Sequence, residues 1–495
     1  MTKGDPWPET RLFVGGDLRP AAGGRTYDNV NPATATVAGV AADASADDLD
    51  SAVRAARSAF DAGNWASDRG LRVRCLRQLA TALGDHEAQL TDITVTEVGA
   101  PLGACAAVQV AEPLKLPSYY ADLVDRTRFD TQLGVAETLG GPADRWVERV
   151  PVGVVAAITP WNVPTQINLA KIAPALAAGC TVVLKPAPET PWSALALDRL
   201  VADHTDIPAG VFNVVTGSDP QLGASLVADP RVDLVSFTGS TETGRRVMEA
   251  AAANLTRVFL ELGGKSAHIL LDDVEDFAAA SLGAVFGMAM VAGQGCALTT
   301  RILVPRHRHD EAIDALAGLM SVVAVGPPDE PGTLMGPLIS ARQLERVDGF
   351  VQRSLDQGAR VVCGGERVTG LDGFFYAPTL LAGVTNDMEA AREEIFGPVL
   401  VVIAHDGDDD AVAIANDSPY GLSGSVVSAD EARATAVARR VRTGTMSVNG
   451  GVWFGCDVPF GGMGASGMGR EMGSAGLDEY LEIRSFARPA PEVSS

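Results

Sequence analysis

The sequence predicts an α/β protein built from two parallel-sheet domains plus a small β element. Three observations carry this. At 495 residues the chain is well past the size at which one hydrophobic core stops growing. From residue 152 short apolar runs alternate with helical stretches, and a second alternation of the same kind begins at Phe277. The apolar runs read as strands covered on both faces, which is the pattern of parallel sheets.

In chain order, the first clear element is a helix over residues 47–60. Ser45 followed by Asp48 makes a capping box, and Leu49, Val53, Ala56 and Phe60 recur on one face. Residues 128–148 alternate in hydropathy around Gly140-Gly141 and read as a hairpin. Strands follow at 152–158, 181–184, 211–215, 232–237 and 257–260, with helices at 166–178, 193–204 and 243–254 between them. A helix from Phe277 to about Ala292 opens the second alternation, with strands near Ile302, Val399 and Ser425. Residues 480–486 read as one more strand, whose edge and that of the hairpin are free to pair with each other or with another subunit. No repeat or low-complexity linker interrupts the chain.

Composition narrows the function. Lys and Arg number 39 against 62 Asp and Glu, a net charge of −23, so a polyanion such as DNA would be repelled. An anionic dinucleotide would have to be held by local donors. The N-terminal residues carry scattered acids and prolines with no apolar core of a signal peptide, and the most apolar run, 284–292, is too short to span a bilayer. A cytoplasmic protein with no membrane partner is expected. The cysteines at 75, 105, 180, 296, 363 and 456 form neither CxxC pairs nor metal-spaced clusters, so free thiols and no metal are expected.

Five stretches carry chemistry. In 235–244 a strand ends at a Gly-containing turn and a helix begins, which points backbone N–H groups where a pyrophosphate could sit, although the GxGxxG fingerprint is absent. Residues 158–162 also close a strand, and Asn162 offers an amide that could polarise a carbonyl. Lys185 ends another strand, where a cation can reach ribose hydroxyls or phosphate. Glu261, flanked by leucines before Gly263-Gly264, is expected to be desolvated, with its pKa raised towards the range of a general base. Cys296 stands between small residues after an apolar helix, reachable by substrate. A free thiol is only a few per cent ionised at neutral pH, and no local His or Lys activates it, so any base must come from elsewhere in the fold.

Together these pieces resemble the aldehyde dehydrogenase superfamily. Eight motifs occur in the family's order: TPWN at 159–162, KPAPETP at 185–191, FTGSTETG at 237–244, LELGGKS at 260–266, GQGC at 293–296, EEIFGP at 393–398, SPYGLSG at 418–424 and PFGGMGASGMGRE at 459–471. The resemblance implies two Rossmann-like domains and NAD as cofactor. By position it implies that Cys296 is the nucleophile, Glu261 the general base, and Asn162 with the Cys296 N–H the oxyanion hole. It implies cofactor contacts from Ile158, Thr159, Pro160, Trp161, Lys185, Gly217, Gly239, Ser240, Leu262, Glu394 and Phe396. It places Val163, Ile167, Ala170, Gly295, Ala297, Trp453 and Phe454 along the aldehyde tunnel. It further implies a division into a cofactor domain (1–127 and 149–260), a nucleophile-bearing domain (261–440), returning loops (441–474) and oligomerisation strands (128–148 and 475–495) of a homodimer or homotetramer.

The residue types suit the reaction. An aldehyde carbon releases hydride only after a nucleophile makes it tetrahedral. A water must then attack the resulting thioester, which calls for a base. A retained Glu261 argues against transfer to coenzyme A, and intact Cys296, Glu261 and Asn162 argue against a catalytically silent structural protein. Two positions depart from the family pattern. Pro188 stands where many NAD-preferring members have Glu, so NADP is expected to be tolerated. Gly464 stands where many members have Lys. No Arg or Lys is among the seven tunnel positions, so a medium or bulky apolar aldehyde is expected rather than one bearing a carboxylate.

Overall fold

The computed structural model describes residues 7–491. Its two large sheets bear out the predicted fold class. The first has eight strands in the spatial order 467–468, 257–261, 234–238, 154–158, 181–185, 212–214, 12–14 and 17–19. Its five central strands are parallel. The second runs 360–363, 379–382, 399–405, 301–305, 267–270, 424–427 and 447–448, all parallel except the first.

Val154, Val155, Ala156 and Ala157 are wholly buried, as are Val182, Val183 and Leu184, because helices cover both faces. One core joins this sheet to helices Arg69–Asp85, Leu116–Arg126 and Pro164–Ala178, and another surrounds Ile302, Leu303 and Val304 in the second sheet. Three helices start with proline at the first turn, Pro164–Ala178, Pro191–His204 and Pro220–Val227, where the missing N–H costs nothing. The Ser45–Asp48 capping box is present, and its helix runs Ala46–Ala62.

The other predicted strands and helices occur, with ends shifted by a few residues. The helix expected from Gln166 starts at Pro164, and the one expected from Ser193 starts at Pro191. The hairpin comprises Asp130–Thr138 and Gly141–Pro151, and its second strand reaches Pro151 because Leu481–Pro489 pairs along its other side. The two remote edge segments therefore pair with each other within the chain. The outer edges of Asp130–Thr138 and Leu481–Pro489 have no strand partner among the described residues.

The chain leaves the first sheet at Glu261 and enters the second at Ala267, so five residues join the two. It returns between Val448, the last strand residue of the second sheet, and Gly467, which pairs antiparallel with Glu261. Among the described residues no helix is long and apolar enough to cross a membrane.

Candidate active site

Strand register sets the first wall. Ile158 pairs with both Lys185 and Phe237, and the next residue, Thr238, pairs with Glu261. Lys185, Ile158, Thr238 and Glu261 thus end four adjacent strands at nearly one level. From the strand Val154–Ile158 the chain proceeds outward to one side, then crosses back to Leu234–Thr238 on the other. The carboxyl edge between these two strands is a topological switch point, where open α/β sheets bind ligands.

Thr159, Pro160 and Trp161 leave one side of that point, and Gly239 and Ser240 leave the other. Thr159 is held by its Oγ1 donating to Asn168 at 2.7 Å. Ser240 caps the helix Thr241–Ala252, accepting from Thr243 N at 3.2 Å. The Gly239 N–H donates to the Glu261 carbonyl at 3.0 Å. An anion at this edge would meet Gly239 only by close approach, and the helix start beyond it by its dipole. Lys185 is buried, its Nζ donating to the Pro186 carbonyl at 3.2 Å. Burial pushes its pKa down, against the pull of Glu189 and Asp219. Gly223 packs on the Lys185 stem, and Gly217 lies against Leu222 in the same helix. A buried ammonium beside a helix start, at a switch point, fits the phosphates and ribose of a dinucleotide.

The second wall comes from the other sheet. Glu394 accepts from the Gly264 N–H at 3.0 Å, and burial, opposed by that bond and by Lys265, raises its pKa to about 7. Lys265 is fully buried, its Nζ has no hydrogen-bond partner among the described residues, and burial lowers its pKa to about 7. Phe396 has φ 62° and meets Trp161 edge-on at 5.3 Å, so the two walls touch through aromatic rings. Its carbonyl accepts from Gln343 at 2.7 Å, and the Glu394 carbonyl from Arg346 at 2.7 Å. Leu262 is buried, its N–H donating to Ser466.

Cys296 follows the helix Phe277–Met290. The turn before it requires glycine: Gly293 has φ 71°, and a Cβ there would lie 1.9 Å from the Gly397 carbonyl. Cys296 is half-buried, and burial pushes its thiol well above the ordinary value, with Glu394, Glu261 and Glu471 adding negative charge. The fold thus brings acids to this thiol. Asn162 is buried beside it, its Nδ2 donating to the Gln294 carbonyl at 2.7 Å.

Glu261 is buried, and neither carboxylate oxygen has a hydrogen-bond partner among the described residues. Burial drives its pKa well up, Glu471 adds to the rise, and Lys171 and Arg470 oppose it. Space for the carboxylate exists because residue 461 is glycine: a Cβ there would stand 2.6 Å from Glu261 Oε1.

Of the seven tunnel positions, Val163, Gly295, Ala297, Trp453 and Phe454 are half-buried, and Ile167 is buried. Trp453 stacks on Phe460 at 5.6 Å and meets Phe454 at 6.1 Å. Ala170 is 1% exposed and belongs to the first core. Four neighbours of this site were not singled out from the sequence. Gln109, Lys171, Gln343 and Glu471 come from distant segments, and an isolated Gln or Lys in a helical stretch carries no signal by itself. Among the described residues no group of three or more His, Cys, Asp or Glu is placed to hold a metal ion.

Comparison with known proteins meets this geometry. The aldehyde dehydrogenase family model matches residues 19–486. A 3-succinoylsemialdehyde-pyridine dehydrogenase of a Pseudomonas species is 41% identical, covering 96% of this chain and 97% of the relative. A geranial dehydrogenase of Castellaniella defragrans is 40% identical, covering 96% and 98%. The crystal structure of a Mycobacterium tuberculosis aldehyde dehydrogenase complexed with NAD+ superposes with a TM-score of 0.92 at 41% identity, covering 97% and 98%. A Staphylococcus aureus betaine aldehyde dehydrogenase with NAD+ gives 0.94 at 32% identity, covering 98% and 99%. With a family match over nearly its whole length and relatives aligned end to end, this chain belongs to the aldehyde dehydrogenase family.

Proposed function

We propose that this protein oxidises a medium or bulky apolar aldehyde to its carboxylic acid with NAD. The observation that carries the reading is the convergence of Cys296, Asn162 and Glu261, from three separate segments, beside the carboxyl edge that ends in Lys185. Two of the relatives are named for geranial and for a 3-succinoylsemialdehyde-pyridine, and both aldehydes suit a tunnel without cations.

In this reading the Cys296 sulfur adds to the aldehyde carbon as its proton leaves to a carboxylate or to water. The new oxyanion is held by the Cys296 N–H and by Asn162. A primary amide has two N–H bonds, so Asn162 keeps one on Gln294 and offers the other. Losing such a donor typically costs ~3 kcal/mol in the barrier. NAD, when bound, accepts the hydride; Lys185 and Glu394 would hold its riboses, and the start of the helix at Thr241 its pyrophosphate. The thioester left on Cys296 is then attacked by a water whose proton Glu261 takes. Glu261 reaches its working state only once ionised, and its burial between leucines makes it a strong base.

The residues implied for the cofactor and the tunnel, and the division into 1–127 with 149–260, 261–440, 441–474 and the two strand segments, belong to the same proposal. So does a homo-oligomer formed through the three-stranded sheet. A panel of aliphatic and aromatic aldehydes with NAD and with NADP, followed by absorbance of the reduced cofactor, tests the reading. No reduction with any member would overturn it.

A further inference from the structure

The oxyanion donor Asn162 lies in a stretch with little backbone support. Residues 159–163 are neither helix nor strand, and Pro160 and Pro164 contribute no N–H. Nothing in the sheet ladder therefore fixes where the Asn162 peptide points. That work falls to Gln109, a buried side chain more than fifty positions away, whose Nε2 donates to the Asn162 carbonyl at 2.8 Å. We propose that Gln109 is a positioning residue for the oxyanion hole, setting Asn162 so that its free amide hydrogen faces the place an oxyanion would take beside the sulfur of Cys296.

Two further observations support this. Gln109 closes a π-type turn, residues 105–109, in which the Val110 N–H reaches back to Cys105 O at 3.2 Å and Glu112 N–H to Ala107 O at 3.1 Å. A wide turn of this kind breaks the helix and redirects the side chain at its end, and such turns are frequent at functional sites. The other end of Asn162 is also pinned. Its Nδ2 bonds the Gln294 carbonyl at 2.7 Å, and Gln294 is held in turn by the Ile339 N–H at 3.0 Å. Gln109, Asn162 and Gln294 line one small cavity together. Asn162 is thus fixed at its backbone by one glutamine and at its side chain by the peptide of another.

This inference rests on the proposed role of Asn162, and a double-mutant cycle separates the two. The measurement is the single-turnover rate of reduced-cofactor formation, with enzyme in excess over benzaldehyde and NAD saturating. Gln109→Met keeps length and removes the donor. It should slow that rate about tenfold in the native background and less than about twofold in an Asn162→Ala background, with NAD binding by fluorescence unchanged, because coupled residues are non-additive. An equal slowing in both backgrounds, or none in the native one, would overturn the inference. If Asn162→Ala itself left the rate unchanged, the reading of Asn162 would fall instead. Should Gln109→Met not fold, Gln109→Glu serves. Its carboxyl can donate only when protonated, so its rate relative to the native protein should decline as pH rises. A pH-independent ratio would count against the proposal.

Discussion

Lys171 and Glu471 form a fully buried ion pair, Nζ to Oε1 2.7 Å, in contact with the surroundings of Glu261. Lys171 also donates to Ser236, whose hydroxyl meets Tyr480 at 3.1 Å. The two charges act on Glu261 with opposite sign. Lys171→Met should therefore shift the pH dependence of thioester hydrolysis to higher pH, and Glu471→Gln should shift it to lower pH. Each change strands the other partner's buried charge, which typically costs about 3–5 kcal/mol of stability. Stopped-flow hydrolysis across pH, with chemical denaturation midpoints alongside, measures both. Shifts in the same direction for both variants would contradict the electrostatic account.

Cys296→Ala should abolish aldehyde oxidation while cofactor still binds. The sulfur is lost, but the residues around Lys185 and Glu394 are untouched. Calorimetric titration with NAD next to a turnover assay checks this, and steady turnover near that of the native protein would remove Cys296 from the mechanism.

Glu261→Gln keeps size and removes basicity. Acylation should persist as a burst of reduced cofactor, while steady turnover falls by about 10²–10⁴-fold, the usual worth of a general base. The sign of the native pH dependence follows from burial. Glu261 has its pKa raised, so it holds its proton at pH values where a solvated glutamate would not, and hydrolysis should climb as pH rises through that value. A flat hydrolysis profile is the outcome that would falsify the role.

Cofactor choice should be loose. The place of the usual ribose-binding carboxylate is taken by Pro188, and Glu189 beside it is engaged by Arg342 at 3.5 Å. Arg342 is 85% exposed, so this pair is weak and the guanidinium is free to turn to a 2′-phosphate. NAD should be preferred, by less than about a thousandfold, or near 4 kcal/mol. Arg342→Ala should lower kcat/KM for NADP about tenfold, a loss of ~1.4 kcal/mol, and leave NAD within about threefold. A preference for NADP in the native protein, or equal losses for both cofactors in the variant, would refute the assignment.

The three-stranded sheet should join subunits. Both of its outer edges lack a strand partner among the described residues, and Leu133, Val135 and Ile483 on it are more than half exposed. Light scattering at micromolar concentration should give a multiple of 51.3 kDa, and a single-chain mass would count against it.

Much of this was legible in the sequence where one segment carried its own signal. The capping box at Ser45 needs four residues, and the strands ending in Ile158 and Lys185 need only their apolar runs. Glu261 and Cys296 were visible because small or apolar neighbours surround them in sequence. What stayed hidden depends on long-range closure. Helices Arg69–Asp85 and Leu116–Arg126 carry polar residues on most turns, and their burial follows from packing on each other and on the helix Pro164–Ala178. Gln109 meets Asn162, and Lys171 meets Glu471, only because the fold brings separate segments together. Of the acids whose charge reaches Cys296, Glu261 and Glu394 stand in motifs of their own, while Glu471 comes near only through the fold.

The antiparallel pairing of Glu261 with Gly467 also orders events during synthesis. Glu261 leaves the ribosome near the middle of the chain, but Gly461, Arg470 and Glu471, which shape its pocket, emerge only among the last residues. A nascent or truncated chain can therefore present Cys296 without a formed base beside it. Under the proposed mechanism such a chain would be acylated by aldehyde and NAD at most once and then stall as a thioester, so catalytic competence would arrive late, with the C-terminal segment that closes the fold.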